Sequence, residues 1–299
     1  MEPTRLIAHA KLNLGLQVTG RRADGYHELA SLMVNIDLAD EVELAPGASV
    51  VTGGPYADVA GDPAANLAWL AMGAMSDAAG RPLGLGVRVV KRIPAGAGLG
   101  GGSADAAAVL RAAAALQVVL PASALAALAL SLGADVPYQL HGGTALVTGV
   151  GEHIQPLPHL DAYVAVAFRT ACSTQAVFAE LGADEWSDGA AVREAADTIV
   201  HGARGAAGRD AGAVATMVDD LPNDLLAAAT RRYPALEVDR SALAEAGWRP
   251  RLTGSGGGFY QLAGEASEAR DLAASARRAG FAAWACRTVA APAANNPTP

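Results

Sequence analysis

The stretch Pro94–Ala104, PAGAGLGGGSA, constrains this 299-residue chain more than any other part of it. Five of the residues from Gly96 to Gly102 are glycine. Glycine weakens helices and strands alike, and a simple turn needs only one or two. A loop whose amides must all face one anion needs many, because glycine allows the required dihedrals and lets the backbone approach the ligand closely. The preceding segment, Leu85–Ile93 (LGVRVVKRI), alternates apolar and basic residues like a half-buried strand and stops at Pro94. An alanine-rich helix is expected from Ala104 to about Val119, with Ser103 placed to cap it. The first amides of a helix are unpaired and carry about +0.5 charge, so strand, glycines and helix in this order predict a phosphate site.

The loop is not of the Walker A type, since no Gly-Lys-Ser/Thr follows it. Gly96, Gly98 and Gly101 do fit the GxGxxG spacing of a dinucleotide-binding fold, which also needs an acidic residue about 20 positions on to hold the ribose. Between Asp105 and Asp135 there is no Asp or Glu, so that reading fails. A net charge of −8 argues against a general nucleic-acid binder, whose affinity comes from neutralising phosphates. Hydrophobic residues make up 52% of the chain, but much of that share is alanine. The weakly polar stretch Val118–Ala134 is broken by Pro121 and reads as buried helices, so no membrane span is expected. Cys172 and Cys286 lie far apart without a CxxC partner, and no signal peptide is visible. Both features fit a reduced, cytoplasmic protein.

Elsewhere, Leu6–Thr19 reads as a strand entering a turn at Gly20–Gly25, and Met33–Leu38 and Glu41–Leu44 read as further strands. Asn66–Ala79 reads as a helix, and Asp135 and Pro137 mark a turn. Gln155–His159 (QPLPH) is the expected domain junction. Beyond it come a strand at Ala162–Phe168, helices to about Leu226 and beyond, and a strand near Arg251–Thr253. A second glycine cluster, Thr253–Gly258 (TGSGGG), then precedes a strand at Phe259–Leu262. Its four glycines in five positions again suggest close backbone approach to a ligand. Nothing in the sequence fixes an oligomeric state.

Pro94–Ala104 resembles the second motif of the GHMP kinases. Three more segments resemble that family in register: Ala8–Leu29 (AHAKLNLGLQVTGRRADGYHEL), Gly133–Glu152 (GADVPYQLHGGTALVTGVGE) and Leu252–Tyr260 (LTGSGGGFY). The three successive glycines followed by Ser-Ala-Asp-Ala-Ala are similar to the branch that phosphorylates an alcohol bearing a cytidine diphosphate. That branch serves the non-mevalonate route to isoprenoids. The resemblance implies an α+β protein with a ribosomal S5 domain 2-like N-terminal domain over 1–155. A ferredoxin-like C-terminal domain over 156–290 and a disordered tail over 291–299 would follow, with the cleft between the domains. It implies ATP as phosphoryl donor, with Mg²⁺ bridging the phosphates and Ser103 as an oxygen contact.

In roles, the resemblance implies Asp135 as base with Lys11 beside it. A carboxylate next to an ammonium stays ionised at neutral pH, and the same ammonium can stabilise charge on a moving phosphoryl group. On the residues alone, Asp135 before Val-Pro also suits a cap or turn. Lys11 lies in an otherwise apolar strand, where a charge is costly without a partner. The loop residues Pro94, Ala95, Gly96, Ala97, Gly98, Leu99, Gly100, Gly101, Gly102, Ser103 and Ala104 are implied to hold the triphosphate. Asn66 and the backbone around Lys91 are implied to hold the base of ATP. Asn66 alternatively reads as the cap of the helix that follows, and Lys91 and Arg92 as a solvated strand face. Asn13, Tyr26, His27, Thr174 and Phe178 are implied on the acceptor side, where a cytosine ring wants flat aromatic faces. Gly256 and Gly257 are implied to line the site. Two other readings compete. A GHMP kinase for a small aliphatic or sugar acceptor would have no use for Tyr26, His27 and Phe178. A protein that only binds nucleotide would not require both Lys11 and Asp135.

Overall fold

A computed structural model describes residues 3–47, 49–57, 65–115, 118, 120–204 and 217–292. Its first feature is a long antiparallel hairpin, β1 (Thr4–Arg21) and β2 (His27–Pro46), in register from Thr4↔Leu44 to Arg21↔His27. Three irregularities interrupt the pairing, between His9 and Lys11, Asn13 and Gly15, and Val18 and Gly20. A bulge re-aims side chains, and the first two flank Lys11 and Asn13. The segments Met33–Leu38 and Glu41–Leu44 belong to one strand, because no turn residue separates them and the intervening Asp40 is wholly buried.

β2 is the centre of the molecule. It pairs with β1, with β4 (Leu85–Val90), with β5 (Thr144–Gly149) and with β10 (Ala282–Val289). β3 (Val50–Gly53) runs parallel to β4, and β6 (His153–Pro156) pairs with β5. On the other side of β10 lie β7 (Tyr163–Phe168), β9 (Gly258–Ala263) and β8 (Arg251–Leu252), in that order. Ten strands thus form one sheet, and Thr288↔Ile36 and Val289↔Asn35 join its two halves. The segment Gln155–His159 completes β6 and leads into β7. It is held by Leu157 N–H to Thr144 O (2.9 Å), while nearby Leu160 N–H donates to Thr144 Oγ1 (3.0 Å).

Helices α1 (Leu67–Ala78), α2 (Gly101–Ala115), α3 (Ala122–Leu132) and α4 (Val136–His141) cover the β1–β2–β4 face. The alanines of α2 have a packing role. Ala104, Ala106, Ala107, Ala108 and Ala112 are buried in one core with Met72 and Met75 of α1 and Val42, Val87 and Val89 of the sheet. Small side chains let two helices and a sheet approach closely, and close packing is where dispersion energy accumulates. Further along the chain come α5 (Thr174–Glu180), α6 (Ala190–Arg204), α7 (Leu225–Arg232), α8 (Ala235–Glu245) and α9 (Ala266–Arg278). None of these helices is long and apolar enough to cross a membrane. Both cysteines are buried and free.

One expectation at a helix start needs correction, and one alternative is what the structure shows. α2 begins at Gly101, so Ser103 lies inside its first turn rather than capping it. Glycine tolerates helical dihedrals as well as turn ones, which lets the helix begin within the glycine run. Asn66 does cap α1, its Oδ1 accepting from the amides of Ala68 (2.9 Å) and Trp69 (3.4 Å). The expected end of α2 near Val119 and most of the tail expected over 291–299 lie outside the described residues.

Candidate active site

The glycine loop leaves β4 and turns into α2 with Gly96, Gly98 and Gly100 at φ of 74°, 74° and 68°, a region that other residues rarely enter. Its carbonyls point back into the protein. Gly96 O accepts from the amides of Cys172 (3.0 Å) and Gly257 (2.9 Å), Ala97 O from Gly258 (3.0 Å), and Leu99 O from Lys11 (2.9 Å). The amides of Gly96 to Gly100 donate to no partner among the described residues. Free amides over engaged carbonyls are what an anion cradle requires, and α2 adds its own unpaired first amides.

The second glycine cluster is the bed of the first. A Cβ on Gly256 would come within 1.9 Å of Gly98 N, and one on Gly257 within 1.6 Å of Thr170 O. These two glycines therefore do not line the cleft as expected. They lie behind the loop, and Gly254 and Ser255 line the opening in their place.

Beneath the loop sits a buried ionic triad. Lys91 Nζ donates to Asp105 Oδ2 (2.7 Å) and to Asp40 Oδ2, and Asp40 Oδ1 accepts from the Ile93 amide (2.8 Å). Burial pushes the Asp105 carboxyl upward, against the pull of Lys91 and with the push of Asp40. Burial lowers the Lys91 ammonium, but the two carboxylates outweigh it and the net shift is upward. Lys91 is thus no part of a solvated strand face, whereas Arg92 is exposed. A Cβ on Gly101 would lie 3.3 Å from Lys91 Nζ, so the ammonium sits directly below the first turn of α2. Asp105 Oδ1 is buried without a partner. Neither Asp40 nor Asp105 was expected at the site. The available signal was a carboxylate inside an apolar strand and another inside an alanine helix, each needing a buried cation.

Beside the loop, Lys11 Nζ lies 3.5 Å from Asp135 Oδ2 and donates to Asn13 Oδ1 (2.5 Å). Asn13 is itself fixed, Nδ2 donating to Ser31 Oγ (2.7 Å) and its amide to Thr253 Oγ1 (2.9 Å). The Lys11 side chain is 5% exposed and that of Asp135 39%. Asp135 precedes α4 but its carboxylate makes no cap bond. The ammonium is clamped, and the carboxylate is presented to the opening. Gly100 and Gly254 both touch Lys11, each with a notional Cβ within 3.2 Å of its side chain.

At the other end, the β1–β2 turn carries Tyr26, which is 63% exposed, and His27. The His27 ring stacks on Phe178 of α5 with centroids 5.2 Å apart and planes at 27°, and Trp186 meets it edge-on at 6.2 Å. Burial, assisted by the Arg21 charge, holds the imidazole below its ordinary value. Thr174 begins α5 and its Oγ1 accepts from Ser255 Oγ (2.9 Å), tying the aromatic end to the glycine bed. His27 and Phe178 fill the space between themselves, so the open aromatic face is that of Tyr26. Trp186 was missed, because it follows a helix in a segment without motif content.

The loop, Asn66, Lys11, Asp135, Tyr26, His27, Thr174 and Phe178 border one cleft of about 1030 Å³, but Ala97 and Ala104, expected to hold the triphosphate, turn into the core instead. Among the described residues no group of three or more His, Cys, Asp or Glu side chains could hold a metal ion. Ser103 presents its hydroxyl from the first turn of α2 to the same cleft. That suits Mg²⁺, which takes few protein oxygens and fills its shell with phosphates and water.

Residues 66–143 match the family described as "GHMP kinases N terminal domain". The 4-diphosphocytidyl-2-C-methyl-D-erythritol kinase of Thermus thermophilus is 38% identical over 286 residues, covering 93% of this chain and 94% of the relative. That of Deinococcus radiodurans is 37% identical over 285 residues, covering 91% and 90%. A crystal structure of 4-(cytidine 5'-diphospho)-2C-methyl-D-erythritol kinase superposes with a TM-score of 0.74 at 35% identity, covering 95% of this chain and 98% of the other.

Proposed function

Because this chain belongs to the 4-diphosphocytidyl-2-C-methyl-D-erythritol kinases, a family of the GHMP kinases, we propose that it phosphorylates the 2-hydroxyl of that cytidylyl alcohol with ATP. The observation that carries the reading is the Lys11–Asp135 pair, 3.5 Å apart, at the edge of a loop whose amides have no partner among the described residues. Phosphoryl transfer needs a held triphosphate, an oriented hydroxyl and positive charge near the transferring group. The loop supplies the first. Asp135 takes the proton of the attacking hydroxyl as its oxygen bonds to the γ-phosphorus and the bond to the β-phosphate oxygen breaks, releasing ADP. Lys11, held by Asn13, keeps a fixed cation beside that event without having to reorganise. Asn66 and the Lys91 backbone border the end of the cleft that takes the adenine. Ser103 is the hydroxyl that would hold Mg²⁺. When bound, Mg²⁺ neutralises part of the triphosphate charge. Tyr26, His27 and Phe178 hold the cytosine, with His27 as hydrogen-bonding partner and Tyr26 as the open stacking face. We also place the division between the two domains at about residue 155, where β6 ends.

The test is phosphorus NMR of a reaction containing ATP, Mg²⁺ and the cytidylyl alcohol. One new phosphomonoester, located on the 2-oxygen, should form for each ADP released. ADP formation without a phosphorylated acceptor, or a product phosphorylated elsewhere, would overturn the reading.

A further inference from the structure

Three cations border the cleft among the described residues: Lys11, Lys91 and Arg21. Two are committed, Lys11 to Asp135 and Lys91 to Asp40 and Asp105. The neighbouring Arg22 is committed as well, to Asp24 (3.4 Å) and Glu152 (3.3 Å). Arg21 has no carboxylate within ion-pair distance among the described residues. It is nonetheless held in place, because its Nε donates to the Gly25 carbonyl (3.2 Å) across the turn. Its partner in the β1–β2 register is His27, and residues directly opposite in an antiparallel pair have their side chains on the same face. The guanidinium is close enough for its charge to act on the His27 ring.

A positive group without a carboxylate partner among the described residues, beside the residue that meets a nucleobase, is placed for the phosphate on that nucleoside's 5′-oxygen. The ribose separates the two by one sugar length, within reach of an arginine side chain. A planar guanidinium can donate two parallel hydrogen bonds to phosphate oxygens. We infer that Arg21 reads the diphosphate of the acceptor and makes the aromatic end selective for a nucleoside diphosphate over the bare nucleoside. This rests on the proposed acceptor and adds to it the residue that recognises the charge of its linker.

The experiment is calorimetric titration of the full chain with cytidine diphosphate and with cytidine, for the wild type, Arg21→Gln and Arg21→Lys. Loss of a charge-assisted hydrogen-bonded contact corresponds to roughly 10-fold or more in affinity. Wild type should therefore prefer the diphosphate by about that factor. Arg21→Gln should bring the ratio close to one while leaving cytidine affinity unchanged, and Arg21→Lys should keep part of the preference. A Gln variant that retains the full preference, or one that loses cytidine and diphosphate affinity equally, overturns the role of Arg21 and leaves the acceptor assignment standing. A wild type that binds neither compound overturns both.

Discussion

Asp135 stands where a carboxylate usually caps a helix, yet it makes no such bond, and 39% of its side chain is open to the cleft. Its partner Lys11 is almost wholly enclosed and tied to Asn13. Asp135 makes no cap bond, and an amide of the same shape leaves Lys11 its hydrogen bond to Asn13, so the exchange spares the fold. Asp135→Asn should therefore leave thermal stability and KM for ATP essentially unchanged while kcat falls by roughly 10² to 10⁴-fold, the usual contribution of general-base catalysis. Steady-state kinetics with a parallel melting curve decides it. An unchanged kcat would remove Asp135 from the chemistry. At this scale the sequence was informative where a residue was anomalous for its segment, as with Lys11 in an apolar strand. It was uninformative where the anomaly is a pairing. Lys91, Asp40 and Asp105 come together through strand register and the turn from β4 into α2, across separations of 51 and 14 residues. Asp40 and Asp105 are each anomalous for their segments, but nothing in the chain pairs either with Lys91.

The two glycine clusters form a single element in space, although they are about 150 residues apart in the chain. Gly98 and Gly256 are in backbone contact, and Gly96 and Ala97 accept from the amides of Gly257 and Gly258. Adding a methyl group at Gly256 would force the phosphate loop away from its bed, because the obstacle is main chain rather than a flexible side chain. Gly73, exposed in α1 with nothing within 4 Å of a notional Cβ, provides the contrast. Gly73→Ala should raise stability by up to about 1 kcal/mol through helix propensity. Gly256→Ala should lower stability by about 1–3 kcal/mol and weaken ATP binding. Denaturant titration and nucleotide titration of both variants check the pair, and unaltered ATP binding in Gly256→Ala would separate the second cluster from the loop. The existence of both clusters was plain in the sequence, but their contact was not. α9 and β10 were not expected at all. β10 reads AAWACRTV, where alanines blur the alternation between buried and exposed positions, and its pairing with β2 is the longest-range contact in the sheet.

Across the whole molecule, β2 gathers the hairpin, the loop-bearing strand β4 and, through β10, the sheet that carries Thr253–Gly258. One cleft consequently has an amide-lined end and an aromatic end, with Lys11 and Asp135 beside the first. The protein is acidic overall at −8, so the positive groups that face a phosphorylated ligand act locally rather than by a general field. On the proposed reading, the choice of acceptor is made at the aromatic end. Each base-stacking contact is worth about 1–3 kcal/mol, which a small aliphatic alcohol cannot collect. The decisive measurement is ADP release from ATP and Mg²⁺ with 4-diphosphocytidyl-2-C-methyl-D-erythritol, mevalonate, homoserine and galactose supplied in turn. The account predicts a kcat/KM for the cytidylyl alcohol at least about 100-fold above the others. Comparable or faster turnover of any of the other three would contradict it.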